Sequence, residues 1–198
     1  MVKALQSRSF DAFYFDEPDE AKEKILSFIP KDHVVSWGGS KTMLELGIQA
    51  QLEKDGYNLL DRDKAASPEE RAEIMRRALL CDTFLSGVNA VSEDGWLVNI
   101  DGYGNRAAAI IFGPKQVIIA AGMNKVAKTL MSAVSRARNI AAPLNIQRFP
   151  NLETPCSRNG TCADCLSPDT ICSYFVTTRF CKPAGRIKVI LIGKELGL

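Results

Sequence analysis

Histidine and long apolar runs are scarce in this sequence. There is one histidine, His33, and no stretch approaches the roughly 18 consecutive apolar residues that a transmembrane helix needs. Residues 1–15 also lack the uninterrupted apolar segment of a secretory signal peptide. We therefore expect a cytoplasmic protein with no membrane contact. Because His33 precedes a buried strand, we interpret it as a structural or surface residue and not as a catalytic one.

An excess of one charge is also missing. The 25 basic and 23 acidic side chains are interspersed and give a formal net charge of +2, so no extended field favours nucleic acid or an anionic membrane as a partner. With 198 residues, of which 46% are hydrophobic, the chain has the size and composition of one globular domain. We expect a single domain over residues 1–198, with a cysteine-rich excursion at about 151–185.

Several motifs of well-known chemistry are absent. The sequence contains neither the G-x-x-x-x-G-K-[ST] spacing of a phosphate-binding loop nor the G-x-G-x-x-G turn of dinucleotide-binding folds, so it has no ATP or NAD motif. It also lacks the G-x-S-x-G elbow of hydrolases and the H-E-x-x-H zinc motif. Function therefore has to be inferred from local clusters of polar residues.

Apolar runs that alternate with amphipathic segments predict the fold class. Strands are expected at 12–15, 33–37, 58–60, 83–87 with an extension to 91, 96–100, 117–121 and 187–192. Helices are expected after Pro18, across Met43 to Leu52, from Ser67 to about Leu80 and from Lys125 to about Arg138. Such alternation is typical of an α/β fold whose mostly parallel sheet is covered by helices on both faces.

A glycine turn follows the expected strand that ends at Trp37. In open α/β sheets, ligands bind beyond the carboxyl ends of the strands, where free backbone N–H groups hold anions. Gly38 and Gly39 permit close approach of a ligand, and Ser40 and Thr42 add hydroxyl donors. These residues are candidates for binding a phosphate or carboxylate. Alternatively, the glycines only form a tight turn and Ser40 caps the following helix.

Two further polar loops follow expected strands. They contribute Asn89, Asn105 and Arg106 as candidate ligand-binding residues, and Arg106 is suited to pairing with an anionic substrate. Glu93 is a candidate general base or nucleophile, or else part of an ordinary Glu-Asp-Gly turn. Basic residues of the last predicted helix are expected on its solvated face: Lys125, Lys128, Arg136 and Arg138.

Cysteine is concentrated in one turn-rich segment. Four cysteines have the spacing C-x5-C-x2-C-x6-C: Cys156, Cys162, Cys165 and Cys172. Because thiolates are soft ligands, these residues are candidates for an all-sulfur zinc site or an iron–sulfur cluster, with Cys181 as a substitute ligand. The spacing matches neither a zinc ribbon nor the usual ferredoxin runs. Free thiols and a disulfide pair are the alternatives, the latter disfavoured in a reducing compartment.

Four segments together resemble the LUD family, named for lactate utilisation. They are 37–47 (WGGSKTMLELG), 87–99 (GVNAVSEDGWLVN), 104–106 (GNR) and 185–197 (GRIKVILIGKELG), within a match that spans about residues 30–198. Residues 160–165 (GTCADC) are similar to a shorter, cysteine-bearing branch. The resemblance implies a fold like that of the ribose-phosphate isomerase, glucosamine-phosphate deaminase and CoA-transferase group. It also implies a part in bacterial lactate oxidation beside iron–sulfur subunits.

Three functions follow from these observations. The first is a cytoplasmic protein that binds a small anionic metabolite at the glycine turn and assists lactate or related organic-acid oxidation. The second is an iron–sulfur or zinc-binding accessory subunit whose cysteine site carries electrons or senses the redox state. The third is a non-catalytic assembly subunit. The sequence leaves open whether the chain is an enzyme.

Overall fold

The chain forms two sheets flanked by helices in a computed structural model that describes residues 1–198. The strands are β1 (Asp11–Phe15), β2 (Val34–Trp37), β3 (Asn58–Leu60), β4 (Thr83–Gly87), β5 (Ala90–Ser92), β6 (Leu97–Asp101), β7 (Gln116–Gly122), β8 (Val126–Ala127), β9 (Tyr174–Thr178) and β10 (Ile187–Ile192). The α-helices are α1 (Val2–Ser7), α2 (Pro18–Ser27), α3 (Lys41–Glu45), α4 (Ile48–Lys54), α5 (Pro68–Arg77), α6 (Asn105–Ile111), α7 (Leu130–Arg136), α8 (Ala142–Ile146) and α9 (Pro155–Asn159). A π-helical segment, Ala137–Ala141, joins α7 to α8. No helix is long and apolar enough to cross a bilayer.

The larger sheet has six parallel strands in the order β1-β10-β7-β4-β2-β3. Its central strands β7 and β10 are buried almost throughout, as is usual when both faces of a parallel sheet are covered. On one face, α1 and α6 contribute Leu5 and Ile110 to the core. On the other face, α2, α3 and α4 contribute Ile25, Met43 and Leu52. The predicted fold class, a mostly parallel sheet with helices on both faces, is confirmed.

The smaller sheet was not predicted from the sequence. It has the order β8-β5-β6-β9, with β5 and β9 antiparallel to β6 and with β8 parallel to β5. The strand expected over residues 83–91 is two strands, because the chain leaves the large sheet after Gly87 and enters the small sheet at Ala90. The strand expected at 96–100 is β6, which also belongs to the small sheet.

Two predicted helices differ from the observed ones. Gly47, with a φ of 64°, separates α3 from α4, so the single helix expected across Met43 to Leu52 is interrupted. The helix expected from Lys125 begins only at Leu130, because the intervening residues pair with β5 as strand β8. Thr129 then caps α7 by accepting a hydrogen bond from the backbone N–H of Ser132.

The excursion, residues 151–185, leaves the main fold after α8 and returns to it at β10. It contains the short helix α9 and strand β9. Because β9 pairs with β6, the excursion supplies the edge strand of the small sheet. This pairing holds the cysteine-rich segment beside the carboxyl edge of the large sheet.

Candidate functional site

A cleft of about 990 Å³ lies at the carboxyl edge of the large sheet, which is at the upper end of the range for small-molecule sites. Loops that follow β2, β3, β4, β6 and β7 form its walls together with part of the excursion. Six basic side chains line the cleft: Lys41, Arg62, Arg71, Arg106, Lys125 and Arg148. The acidic side chains that line it are Asp63, Asp101 and Asp169. This excess of positive charge suits an anionic ligand.

Lys125 is a buried cation without an acidic partner. It is 4% exposed, and its Nζ donates a hydrogen bond to Thr42 Oγ1 at 2.8 Å. No carboxylate oxygen lies within 4.0 Å of it. Burial lowers the pKa of Lys125 to about 8, and the nearby Arg136 and Arg106 act in the same direction. An anion that entered the cleft would stabilise the charged form of this amine.

Two guanidinium groups lie over Gly39. A Cβ atom at this position would lie 3.2 Å from Nη2 of Arg62 and 4.0 Å from Nη1 of Arg148. A glycine is therefore the residue that lets both guanidinium groups reach the turn after β2. Ser40 follows Gly39 in the same turn. If Gly87 carried a Cβ atom, that atom would lie 2.8 Å from the Oγ atom of Ser40.

Arg62 has unused hydrogen-bonding capacity. Its Nη1 donates to the sulfur of Met75 at 3.6 Å, a weak acceptor, while its Nε is buried without a partner. It forms no salt bridge. Burial lowers the pKa of Arg62, an effect that Asp63 opposes and Arg71 reinforces. A buried donor without a partner costs folding free energy, and a bound anion would remove that cost.

Arg106, in contrast, has its donors occupied by the protein. Its guanidinium donates to Gly87 O at 3.3 Å, Asn99 Oδ1 at 2.7 Å, Asn89 Oδ1 at 3.1 Å and Ile100 O at 2.6 Å. Its Nε lies 3.8 Å from Asp101 Oδ1. A guanidinium has five N–H donors, so the four hydrogen bonds leave only Nε–H, which faces Asp101, without a hydrogen-bond acceptor. Arg106 lines the cleft, and its hydrogen bonds join β4, β6 and α6. Its pairing with an anionic substrate stays a prediction.

The residues of the glycine turn divide between the cleft and the core. Gly39 and Ser40 line the cleft, whereas Gly38 does not and packs against Arg106, whose Cδ would be 2.7 Å from a Cβ at Gly38. Ser40 caps α3 by accepting a hydrogen bond from the backbone N–H of Met43 at 3.2 Å, the alternative considered for it. Thr42 is fully buried and positions Lys125 instead of facing a ligand.

The structure brings Asn89 and Asn105 to the cleft but not Glu93. Asn89 is held in place because its Oδ1 accepts hydrogen bonds from Arg106 and from the backbone N–H of Ile100. Asn105 is the first residue of α6 and lines the cleft. Glu93 is exposed in the turn after β5 and is not a cleft residue. The geometry therefore gives no support to the catalytic role predicted for Glu93.

The four cysteines that were predicted as metal ligands line one small cavity of about 50 Å³. Burial raises the pKa of Cys172 to about 11, and the neighbouring Cys156, Cys162 and Cys165 act in the same direction. As the side chains stand, no three His, Cys, Asp or Glu residues are arranged so that they could hold a metal ion. Cys181 lies in the main core, where its Sγ donates to Pro183 O, so it is not a substitute ligand.

Comparison with known families adds a decisive observation, because the profile of the LUD domain matches residues 1–192. The chain belongs to the LUD domain family. A DUF162 family protein from Deinococcus radiodurans is similar to this LUD domain, with 14% identity, a TM-score of 0.53, and coverage of 96% of this chain and 92% of that chain. No curated protein matches the chain.

Other solved structures match this LUD domain with lower TM-scores. Ribose 5-phosphate isomerase A from Neisseria gonorrhoeae is 18% identical, with a TM-score of 0.37, over 57% of this chain and 54% of that chain. 5-Methylthioribose 1-phosphate isomerase from Pyrococcus horikoshii is 13% identical, with a TM-score of 0.38, over 82% of this chain and 50% of that chain.

The sequence analysis missed the cations of the LUD domain that lack acidic partners. Lys125 was expected on a solvated helix face, which is wrong because it is the buried last residue of a 3-10 turn directly after β7. Arg62 follows the end of β3 in the same way. Both could have been found, since each stands just beyond the carboxyl end of a parallel strand. Arg148, which follows α8, carries no such signal.

Proposed function

We propose that this LUD domain binds a small organic anion in the cleft, through Lys125, Arg62 and Arg148, and serves lactate or related organic-acid oxidation in the cytoplasm. The observation that most supports this proposal is that three basic side chains facing one cleft have no carboxylate partner. Lys125 is buried and the Nε of Arg62 is a buried donor without a partner, so both lower the stability of the empty cleft, and a bound anion would offset that loss. Arg148 is exposed and adds positive charge without that cost.

The ligand chemistry follows from the kind of donors in the cleft. A guanidinium presents parallel N–H groups that match the two oxygens of a carboxylate or phosphate. The side chain of Asn105 can donate to, or accept from, a hydroxyl beside the carboxylate. A short 2-hydroxy acid such as lactate combines these groups. Oxidation of lactate to pyruvate releases two electrons and two protons. We propose iron–sulfur subunits of a lactate-oxidising system as acceptors of the electrons, with the protons passing to water.

Calorimetric titration of the purified full chain tests the ligand class. The titrants are L-lactate, pyruvate, inorganic phosphate and neutral lactamide, which has the shape of lactate without its charge. We expect saturable binding of at least one anion and none of lactamide. Tighter binding of the carboxylates than of phosphate would support an organic-acid role. Failure of every anion to bind would contradict the proposal.

Two variants locate the binding in the cleft. Lys125→Met and Arg62→Gln each remove one charge-assisted hydrogen bond worth about 1.5–3 kcal/mol, which corresponds to a loss of roughly 10- to 100-fold in affinity. Lys128→Met is the matched control for Lys125, because Lys128 is exposed and outside the cleft. Glu93→Gln should also leave the affinity unchanged. An affinity that is insensitive to Lys125→Met and Arg62→Gln, or equally reduced by Lys128→Met, would reject this site.

A further inference from the structure

The fold brings four thiols together although they are spread over residues 156–172. Cys156 is in helix α9, whose N-cap residue Thr154 is buried. The Oγ1 atom of Thr154 lies 3.3 Å from the Sγ atom of Cys156. Cys162 and Cys165 flank a tight turn in which Asp164 has a φ of 51°. Cys172 is fixed because its backbone N–H donates to Thr170 Oγ1 at 3.1 Å. All four side chains line the same cavity.

We propose that Cys156, Cys162, Cys165 and Cys172 bind one zinc ion, which fixes the excursion against the cleft. Four thiolates are a common ligand set of structural zinc, and the central C-x2-C pair has the usual ligand spacing. The thiols surround the cavity but do not converge on one point as the side chains stand. Binding therefore requires the sulfur atoms to move toward one point, and rotation about the Cα–Cβ bond is the movement open to a cysteine side chain.

The spacing of the cysteines favours a single ion over an iron–sulfur cluster. The gaps between the four cysteines are irregular and differ from the cluster-binding runs of ferredoxins. The central C-x2-C pair, in contrast, has the spacing that zinc ligands commonly show.

One wall of the cavity carries the ion pair of Arg138 and Asp164. A zinc ion with four thiolates carries a net charge of −2, which a nearby cation stabilises. Arg138 lines the cavity, donates to Asp164 Oδ1 at 2.5 Å and lies 5.6 Å from the ring centroid of Phe175. Its guanidinium is therefore placed beside the turn that carries two of the ligands.

The proposed site adjoins the anion-binding cleft. Thr170 and Ile171 line both the cysteine cavity and the cleft. The backbone of Ile171 also packs beside Gly102, with its Cα 3.5 Å from a Cβ placed there. Zinc would thus order the wall that the excursion contributes to the cleft, because it would link α9, the tight turn and Cys172, which lies two residues before β9. The zinc site itself does not depend on what the cleft binds.

Elemental analysis of the full chain, purified without exposure to oxygen, tests the proposal. We expect one zinc ion per chain, and loss of that zinc in Cys162→Ser and in Cys172→Ser. Cys181→Ser is the matched control, because Cys181 lies in the same stretch of sequence but in the core, and it should keep its zinc. Because a variant can lose metal by misfolding, metal-free wild-type protein is also titrated with Zn²⁺ against a chromophoric chelator, with one-to-one binding expected.

Three results would overturn the inference. The first is wild-type protein that binds no zinc in the chelator competition. The second is iron together with acid-labile sulfide in the purified chain, which would replace the single ion by a cluster. The third is a Cys181→Ser variant that loses zinc to the same extent as Cys162→Ser.

Discussion

The buried charge of Lys125 lowers the stability of the folded protein, and the same charge is proposed to bind an anion. Its amine has a pKa of about 8 in the folded chain, against 10.5 as the ordinary value. Below pH 8 the amine is protonated in both the folded and the unfolded chain, so the cost of burying its charge is fully present. Between about pH 8 and 10.5 the folded chain binds fewer protons than the unfolded chain. The contribution of Lys125 to stability therefore rises with pH across this window.

The substitution Lys125→Met should consequently stabilise the protein near pH 7. Methionine fills a similar volume without an uncompensated charge, and replacing such a buried charge by an apolar group is often stabilising. We expect a higher urea midpoint for the variant at pH 7 and a smaller difference from wild type at pH 10. Equilibrium urea unfolding at the two pH values measures both effects, with Lys128→Met as the control. A variant that is less stable than wild type at pH 7 would contradict this description of Lys125.

Gly38 tests whether Arg106 is fixed in place. A Cβ at Gly38 would lie 2.7 Å from Arg106 Cδ, and the hydrogen bonds of the guanidinium leave this side chain little freedom to move. We expect Gly38→Ala to lower the free energy of unfolding by about 1–3 kcal/mol, as overpacking does in cores. Gly102→Ala is the control, since the nearest atom to a Cβ there is 3.5 Å away. Equal stability of the two variants, measured by urea unfolding, would show that Arg106 can move.

The residues of the cleft were only partly predictable from the sequence. Gly39 and Ser40 were identifiable because a glycine turn after an apolar strand marks a ligand-binding position in α/β sheets. The sequence did not reveal that the guanidinium of Arg106 donates hydrogen bonds to Asn89, Asn99 and two backbone carbonyl groups. These hydrogen bonds depend on contacts between strands and a helix that are distant in the sequence. For the same reason the burial of Lys125 could not be read from its neighbours in the chain.

At the scale of elements, the local sequence determines where helix α5 begins. Ser67 accepts a hydrogen bond from the backbone N–H of Glu70 at 3.1 Å, and Pro68 occupies the first turn, where its missing N–H has no cost. Because this helix has no buried residue, its stability depends on the cap more than on packing. The Ser-Pro-Glu-Glu sequence therefore predicted the helix start correctly.

We expect Ser67→Ala to lower the free energy of unfolding by about 1 kcal/mol, through the loss of this cap. Ser27→Ala is a matched control, because Ser27 donates only to the carbonyl of Lys24 on an exposed helix end. That control should change stability by less than about 0.5 kcal/mol. Urea unfolding of both variants checks the difference. A Ser67→Ala variant as stable as Ser27→Ala would mean that α5 does not need its cap.

The small sheet could not be predicted from patterns in the sequence. Its strands β5 and β8 have three and two residues, which are too short for a period of alternation to be recognised. Val117 to Ala121, in contrast, is an unbroken apolar run and was recognised as strand β7 of the large sheet. Assignment of β6 to the small sheet depends on its pairing with the distant β9, and sequence alone does not supply that pairing.

At the scale of the whole molecule, the charges are organised although the composition is balanced. The net charge of +2 is too small to give a strong electric field of one sign around the whole protein. Six basic and three acidic side chains nevertheless line one cleft. The fold produces this local excess by bringing the loops after β2, β3, β4 and β7 to one edge of the large sheet. The excursion closes part of the same cleft and carries the four cysteines behind its wall. Binding of an anion in this cleft is therefore the central claim.

A crystal structure of the wild-type protein grown with L-lactate tests that claim most directly. The account predicts electron density for a bound carboxylate within hydrogen-bonding distance of Lys125 Nζ and of the Arg62 guanidinium, above Gly39. Density for lactate elsewhere on the surface, with only water beside Lys125 and Arg62, would contradict it.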